Sequence, residues 1–497
     1  MKIAAALLLI VPAIVPAQQI GIGLYSLPLV NNGTPGPYWI TPGPDGALWF
    51  TETWGNSIGR ITTAGKATEY SLPTPGSFPE CITAGPDGAL WFTETAVKQI
   101  GRITTAGAIT EYPAVALGIT AGPDGALWFT GSTDNFIGRI TTSGVVTEYP
   151  LPAGNAYPVY ITAGPDGALW FTEAGAGFGR ITTAGAITLY PVAPDMGQGA
   201  ITAGPDGALW ATGGAGTDMI ARITTAGAAT LYYTPTGQSW PLAITAGPDG
   251  ALWFTEAPQF YQPPAQIGRI TTAGVITEYP VPISAPFYNS VPSGIALGSD
   301  GGLWFTEGTS GTQIGELVVP TANLSVNPPD GFYRSNLTFS GSGFAPHENV
   351  LIYYQGIGSN VLASATADAS GSITATAQAP QSPYGPRIFL GKGQRSGKLG
   401  AANFSMSPHL VLSPSSGPPG TTVTVEGFGF EFYLGVGVYW NSPRILLGDV
   451  AADLYGAFSG STALTFTVPS DASPGVTEIF GWNGRGYPIG PGSFTVQ

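Results

Sequence analysis

One phrase is written seven times along this chain. A clear copy is Ala84-Gly85-Pro86-Asp87-Gly88-Ala89-Leu90-Trp91-Phe92-Thr93-Glu94, and its tryptophan returns at Trp49, Trp91, Trp128, Trp170, Trp210, Trp253 and Trp304. A period of about forty residues, rich in Gly, Thr and aromatics, marks a stacked repeat fold. Within one unit, Ile82-Thr83 reads as a short strand and Gly85-Pro86-Asp87-Gly88 as a tight turn, Pro fixing φ and Gly supplying a positive φ. Ala89 to Thr93 reads as a second strand, Ile100 to Thr105 as a third, Ala106-Gly107 as a two-residue hairpin turn and Ile109 to Tyr112 as a fourth. Four short strands per repeat describe the blade of a β-propeller. No helical periodicity competes with this pattern.

The ends say how the ring closes. The seventh unit has a third strand, Ile314-Gly315-Glu316-Leu317, but Val318-Val319-Pro320 then leaves the pattern. The missing fourth strand stands at the other end, where Leu24-Tyr25-Ser26-Leu27-Pro28 matches Glu69-Tyr70-Ser71-Leu72-Pro73. Strands from both ends would complete blade seven and remove an open seam. The fold class is therefore all-β: a seven-bladed propeller over 18–321 closed by an N-terminal strand, then two immunoglobulin-like β-sandwiches over 322–406 and 407–497. Before it, Lys2 and the apolar run Ile3–Pro16 resemble a secretory leader (1–17), too short to span a bilayer. That places the protein outside the cell or in the periplasm or envelope.

Composition narrows the partners. Charged residues are 9% of the chain and the net charge is −14, which argues against nucleic acid and anionic membranes. No stretch reads as a transmembrane segment, and a monomer is expected. The single cysteine, Cys81, rules out an intrachain disulfide.

Repeated charges read first as scaffold. Counting outward from each hairpin turn sets Arg60 opposite Glu69, Arg102 opposite Glu111, Arg139 opposite Glu148 and Arg269 opposite Glu278, as cross-strand ion pairs. The turn aspartates (Asp45, Asp87, Asp124, Asp166, Asp206, Asp249, Asp300) read as turn formers, and the tryptophans as blade-to-blade packing. The candidate site is the face carrying the loops between strands two and three and between blades. Glu52, Glu94, Glu173, Glu256 and Glu307 open the first kind of loop. Together they offer either a ligand-binding mouth, a Mg²⁺ or Ca²⁺ site with Glu94, Glu173 and Glu256 as oxygen ligands, or hydrogen-bonded residues that only shape the loops. Tyr38, Trp39, Trp54, Tyr157, Tyr160, Trp240, Phe260, Tyr261, Phe287 and Tyr288 add an aromatic lining. An apolar mouth with a few acids suits a small organic ligand, a glycan or a peptide.

The phrase Ile-Thr-Ala-Gly-Pro-Asp-Gly-Ala-Leu-Trp-Phe-Thr-Glu, followed by Ile-Gly-Arg-Ile-Thr-Thr-Ala-Gly and Thr-Glu-Tyr-Pro, resembles the repeat of the streptogramin B (virginiamycin B) lyases over residues 18 to about 320. Ser413–Val425 resembles the opening of the IPT/TIG domains. The first resemblance implies a seven-bladed propeller and a Mg²⁺-dependent elimination that opens a lactone by breaking a C–O bond, with histidine as base. The family's Pro-His-Gly-Ile entry to strand one is absent here. Its histidine position holds Tyr38, Glu80, Leu117, Val159, Gly199, Leu242 and Ser293, and both histidines, His347 and His409, fall outside the propeller. Glu80 is the one ionisable stand-in for a catalytic base. Cys81 is either a lone nucleophile or a small buried hydrophobe. Two functions follow: a binding module without the lyase chemistry, or a diverged lyase or hydrolase using carboxylates and a metal.

Overall fold

The computed structural model describes residues 20–497 except 29–35, 132–133, 153–156, 176, 193–198, 215, 258–264, 282–290, 309–311, 355–360, 383–384, 431–434, 441–445, 453–456 and 484–487. The proposed leader and Phe260, Tyr261, Phe287 and Tyr288 lie outside the described residues. Among the described residues, no helix is long and apolar enough to cross a membrane.

Seven four-stranded antiparallel sheets follow one another as blades. The first runs Pro37–Pro42, Leu48–Glu52, Ser57–Ile61 and Ala67–Ser71, from the inner strand outward. In the seventh, Pro292–Leu297, Leu303–Glu307 and Gln313–Val318 are completed by Gly21–Ser26 from the start of the chain, with Leu24 opposite Gly315. The ring closes with strands from both ends, as the sequence indicated.

The expected Arg–Glu pairs do not form, and the reason is one residue in the hairpin. The turn is closed by Thr62 N–H donating to the Lys66 carbonyl and Gly65 N–H donating to the Thr62 carbonyl, with Gly65 left-handed at φ 80°. That bulged turn shifts the register by one, so Arg60 faces Thr68 and Glu69 faces Gly59. Arg102, Arg139 and Arg269 likewise face Thr110, Thr147 and Thr277. Each arginine instead reaches the turn aspartate of its own blade, Arg60 Nε to Asp45 Oδ2 at 2.7 Å. Arg180 and Arg222 pair with Asp166 and Asp206 in the same way, although leucines stand where their glutamate partners were sought.

The aspartate thus does more than turn the chain. Asp45 Oδ1 accepts from Trp49 Nε1 at 3.0 Å, which holds the indole while Oδ2 takes the guanidinium. Trp49 stacks on Tyr70 of its own blade (5.5 Å, 12°) and packs against Ile82, Leu90 and Phe92 of the next. All seven tryptophans are fully buried and stack on a tyrosine this way. Blade seven departs from the rule. Glu316 replaces the arginine and accepts a hydrogen bond from Tyr25 of the closing strand.

After the propeller, the strands between Ala322 and Met406 form one continuous sheet that folds over a core of Leu324, Phe339, Ile352, Phe389 and Phe404. Those from His409 to Val496 form two sheets over Leu410, Val425, Trp440, Phe458 and Phe494. The first of these domains sits on the propeller's seam. Ile388 covers Gly21 and Gly23 so closely that a Cβ at either would lie 2.5 Å from it. Asn403 accepts from Ile22 N–H (3.0 Å) and donates to the Ile20 carbonyl (3.1 Å), capping the outer edge of the closing strand. Val318, Leu390 and Ala401 complete a small apolar contact around Ile388. A sheet edge that would otherwise stay open is covered.

Replacing Ile388 by Ala should cost about 2–5 kcal/mol, the usual range for emptying a buried aliphatic site. Urea unfolding followed by tryptophan fluorescence, which reports chiefly on the propeller, should show the propeller transition moving to lower urea. An unmoved propeller transition would show that the sandwich does not support the seam.

Candidate functional site

The mouth is built on a ring of hydroxyls that the sequence reading passed over. The threonine of each Leu-Trp-Phe-Thr or Leu-Trp-Ala-Thr stretch is fully buried. In blade one, Thr51 Oγ1 accepts from Trp39 N–H of its own inner strand and donates to the Glu80 carbonyl of the next blade at 2.7 Å. Thr93 reaches Leu117, Thr130 reaches Val159, Thr212 reaches Leu242, Thr255 reaches Ser293, and Thr306 reaches Tyr38 across the seam. The carbonyls that receive these bonds belong to the residues standing where the related lyases carry histidine. The scaffold therefore fixes the backbone at those positions and leaves their side chains free to vary. The signal in the sequence was the threonine itself, present in all seven copies with no role in turn or core to explain it.

One residue further along each inner strand lies the channel floor: Trp39, Cys81, Gly118, Tyr160, Ala200, Ala243 and Gly294. Two are large and five are small. Trp39 stacks on Tyr160 from the far side of the ring (4.9 Å, 14°) and packs against core residues of several other blades. Beneath this stack a cavity of about 220 Å³ is lined by Thr41, Thr83, Thr120, Thr162, Thr202 and Thr245. Trp39 and Tyr160 line this cavity as well.

Around the floor sits a small polar group. Tyr38 is hydrogen-bonded to Tyr160, and burial pushes its hydroxyl up to about 12. Glu80 Oε1 accepts from Thr95 Oγ1 at 3.4 Å, and burial raises its carboxyl above the ordinary range. Cys81 is 3% exposed within a hydrophobic cluster, and burial, with Glu80 adding to it, raises its thiol well above its ordinary value. It is a packed hydrophobe, since a nucleophile needs the thiolate.

The five loop-opening glutamates are buried inside their own blades. The bulged inner strands set Pro37, Pro79, Pro158, Pro241 and Pro292 opposite Glu52, Glu94, Glu173, Glu256 and Glu307. Ser57 donates to Glu52 at 2.6 Å, and the acid beside it is Glu69 of the same blade. Glu94 lies beside Glu111, and Glu256 beside Glu278. The structure brings together these local pairs and does not gather Glu94, Glu173 and Glu256 around one point. Among the described residues no group of three or more His, Cys, Asp or Glu side chains is placed to hold a metal ion. The residues present do not fit the implied metal.

Two of the outer-strand glutamates that were expected to pair with arginine, Glu111 and Glu278, hold the mouth loops instead. Thr74 donates to Glu111 from both its backbone N–H (3.3 Å) and its hydroxyl (2.7 Å), and Thr236 does the same to Glu278 (3.0 and 2.6 Å). Ser77 and Ser239 N–H groups then bond Asn56 and Asp218. The next residue in each loop is an aromatic in the left-handed region, Phe78 at φ 52° and Trp240 at φ 49°. Trp54 meets Phe78 edge-on at 5.2 Å and is 57% exposed. Trp39 and Tyr160 thus form the floor, and Trp54, Phe78 and Trp240 the rim.

The buried acids give a pH dependence with a definite sign. Burial pushes Glu52 and Glu256 up to about 8, and Glu94 and Glu173 to about 7, from an ordinary value of 4.5. Between those values the folded state keeps protons that the unfolded chain has released. The stability they permit is complete below about pH 4.5 and is lost as pH rises towards 8. The turn aspartates, held below their ordinary range chiefly by Trp and Arg hydrogen bonds that outweigh burial, act in the opposite sense at lower pH. Thermal unfolding across pH 4–9 should therefore peak on the acid side of neutrality. Glu52→Gln with Glu256→Gln should flatten the alkaline decline, and an unchanged decline would contradict the burial account.

The virginiamycin B lyase family model matches residues 23–199 and 177–322, and the IPT/TIG domain model matches residues 411–496. A solved streptogramin B lyase is 38% identical, with a TM-score of 0.54 over 60% of this chain and 98% of that one. The virginiamycin B lyase of Staphylococcus aureus is 41% identical, with a TM-score of 0.55 over 60% of this chain and 99% of that one. A catalytically inactive histidine-to-alanine variant of virginiamycin B lyase from that organism, with quinupristin, is 42% identical, with a TM-score of 0.53 and the same coverage. No curated protein matches the chain. With the family model covering more than half of its length, the chain belongs to the virginiamycin B lyase family.

Proposed function

We propose that the propeller is an extracytoplasmic binding module that keeps the family's scaffold and mouth but not its histidine-based lyase chemistry. The observation that carries this reading is the ring of entry residues. Threonine bonds hold the backbone at six of its seven positions, while its side chains are Tyr38, Glu80, Leu117, Val159, Gly199, Leu242 and Ser293. A general base must sit within hydrogen-bond reach of the proton it removes, and histidine is the usual one near neutral pH. In its place the mouth offers aromatic surface over a closed floor. Glu52, Glu94, Glu173, Glu256 and Glu307 shape the blades under the mouth, and Trp39, Trp54, Tyr160 and Trp240 make the ligand surface. The ligand is a small organic molecule, a glycan or a peptide, and the two C-terminal sandwiches act as spacers or adhesive domains.

One observation favours a second reading, a diverged C–O lyase or hydrolase. Glu80 stands at a histidine position with its carboxyl raised by burial, the direction that tunes a carboxylate towards general-base work near neutrality.

Incubating the full chain with quinupristin and Mg²⁺, then separating the products by chromatography and fragmenting them, distinguishes the two, because elimination gives a linear isomer of unchanged mass. The binding reading expects only the cyclic compound, with its original retention time and fragments. A linear isomer carrying a new C=C bond and a free carboxyl, absent with Glu80→Gln, would overturn it and establish Glu80 as the base.

A further inference from the structure

The rim aromatics stand in a conformation that side chains ordinarily avoid. Phe78 and Trp240 occupy the same place, four residues before the buried isoleucine of their inner strands (Ile82 and Ile244), and both are left-handed. The same place in blade one holds Gly36 at φ 60°, where the conformation carries no steric cost. A bulky residue there is strained, and strain of this kind persists only where its surroundings impose it. Here the surroundings are two matching sets of hydrogen bonds: Thr74 to Glu111 with Ser77 to Asn56, and Thr236 to Glu278 with Ser239 to Asp218. Glycine would satisfy the backbone in both loops, so the rings are what the strain maintains.

Blades two and six stand on either side of blades seven and one. Their two ring-bearing loops therefore face the mouth from different sides, above the Trp39–Tyr160 floor. Phe78 is extended by the exposed Trp54. Between them the entry ring supplies hydrogen-bonding groups, the Tyr38 hydroxyl and the Glu80 carboxyl with its Thr95 partner. Flat apolar faces flanking hydroxyl and carboxyl groups match the two faces of a pyranose chain, whose axial C–H bonds stack on aromatic rings while its hydroxyls bond sideways. The chain's net charge of −14 disfavours acidic glycans.

We infer that the mouth binds a neutral oligosaccharide, with one sugar stacked on Trp240 and another on the Phe78–Trp54 pair. This rests on the reading of the propeller as a binding module and gives that module its ligand class.

Calorimetric titration of the full chain with cellohexaose, xylohexaose and N-acetylchitohexaose, beside quinupristin, tests it. At least one hexasaccharide should bind. Phe78→Gly and Trp240→Gly should each weaken binding by about tenfold, the loss of one good ring contact. Because glycine relieves the left-handed strain, both variants should keep or raise the thermal midpoint, which a merely structural ring would not allow. Binding unchanged in both glycine variants would overturn the stacking. Quinupristin binding with no hexasaccharide binding would overturn the ligand class and leave the binding module standing. Binding of none of the four probes would overturn this inference and count against the module itself.

Discussion

A hydroxyl passes the propeller from blade to blade. Thr51, Thr93, Thr130, Thr255 and Thr306 each accept from their own inner strand and donate to the carbonyl of the next, and Thr306 carries the series across the seam to Tyr38. These groups are buried, so an unmade bond would leave a dry donor facing a dry carbonyl at a cost of about 1–3 kcal/mol. The bonds set where each inner strand enters the channel, and everything at the mouth is placed relative to them. They grip only the backbone of the entry residues. The same device can carry histidine in one member of the family and tyrosine, leucine or glycine in another without altering the ring.

That division explains how the architecture and the site differ in legibility. The seven blades and the borrowed strand Gly21–Ser26 were readable because each copy repeats the same turn and the same alternation, and the unmatched ends fit one another. The ion pairs were misread because a single left-handed residue, Gly65, adds a position to the hairpin and moves every side chain beyond it to the other face. Once the register is corrected, arginine joins the turn aspartate, which in turn holds the buried tryptophan. Glu111 and Glu278 are thereby released to hold the loops that lead into their blades.

The floor of the mouth was beyond any local reading. Trp39 and Tyr160 come from blades on opposite sides of the ring, and only a closed ring of this size brings them into contact. Their pairing depends equally on the small residues Cys81, Gly118, Ala200, Ala243 and Gly294 at the same level. The glutamates show the converse case. Glu52, Glu94, Glu173, Glu256 and Glu307 share a position next to the mouth, but the pleat turns them into the blades, where burial favours the neutral acid. The first sandwich was legible as a domain but not as a cover for the seam, since nothing in Ile388 or Asn403 announces that it meets Gly21–Gly23.

The account rests on the claim that this mouth recognises without removing a proton. The most direct measurement holds quinupristin in D₂O with the protein in molar excess, with Mg²⁺ present, and follows both ring integrity and deuterium at the carbon next to the lactone oxygen-bearing carbon. The account predicts an intact ring and no deuterium beyond the protein-free control. Deuterium incorporation or ring opening would contradict it, because either requires a base that the entry ring is here said to lack.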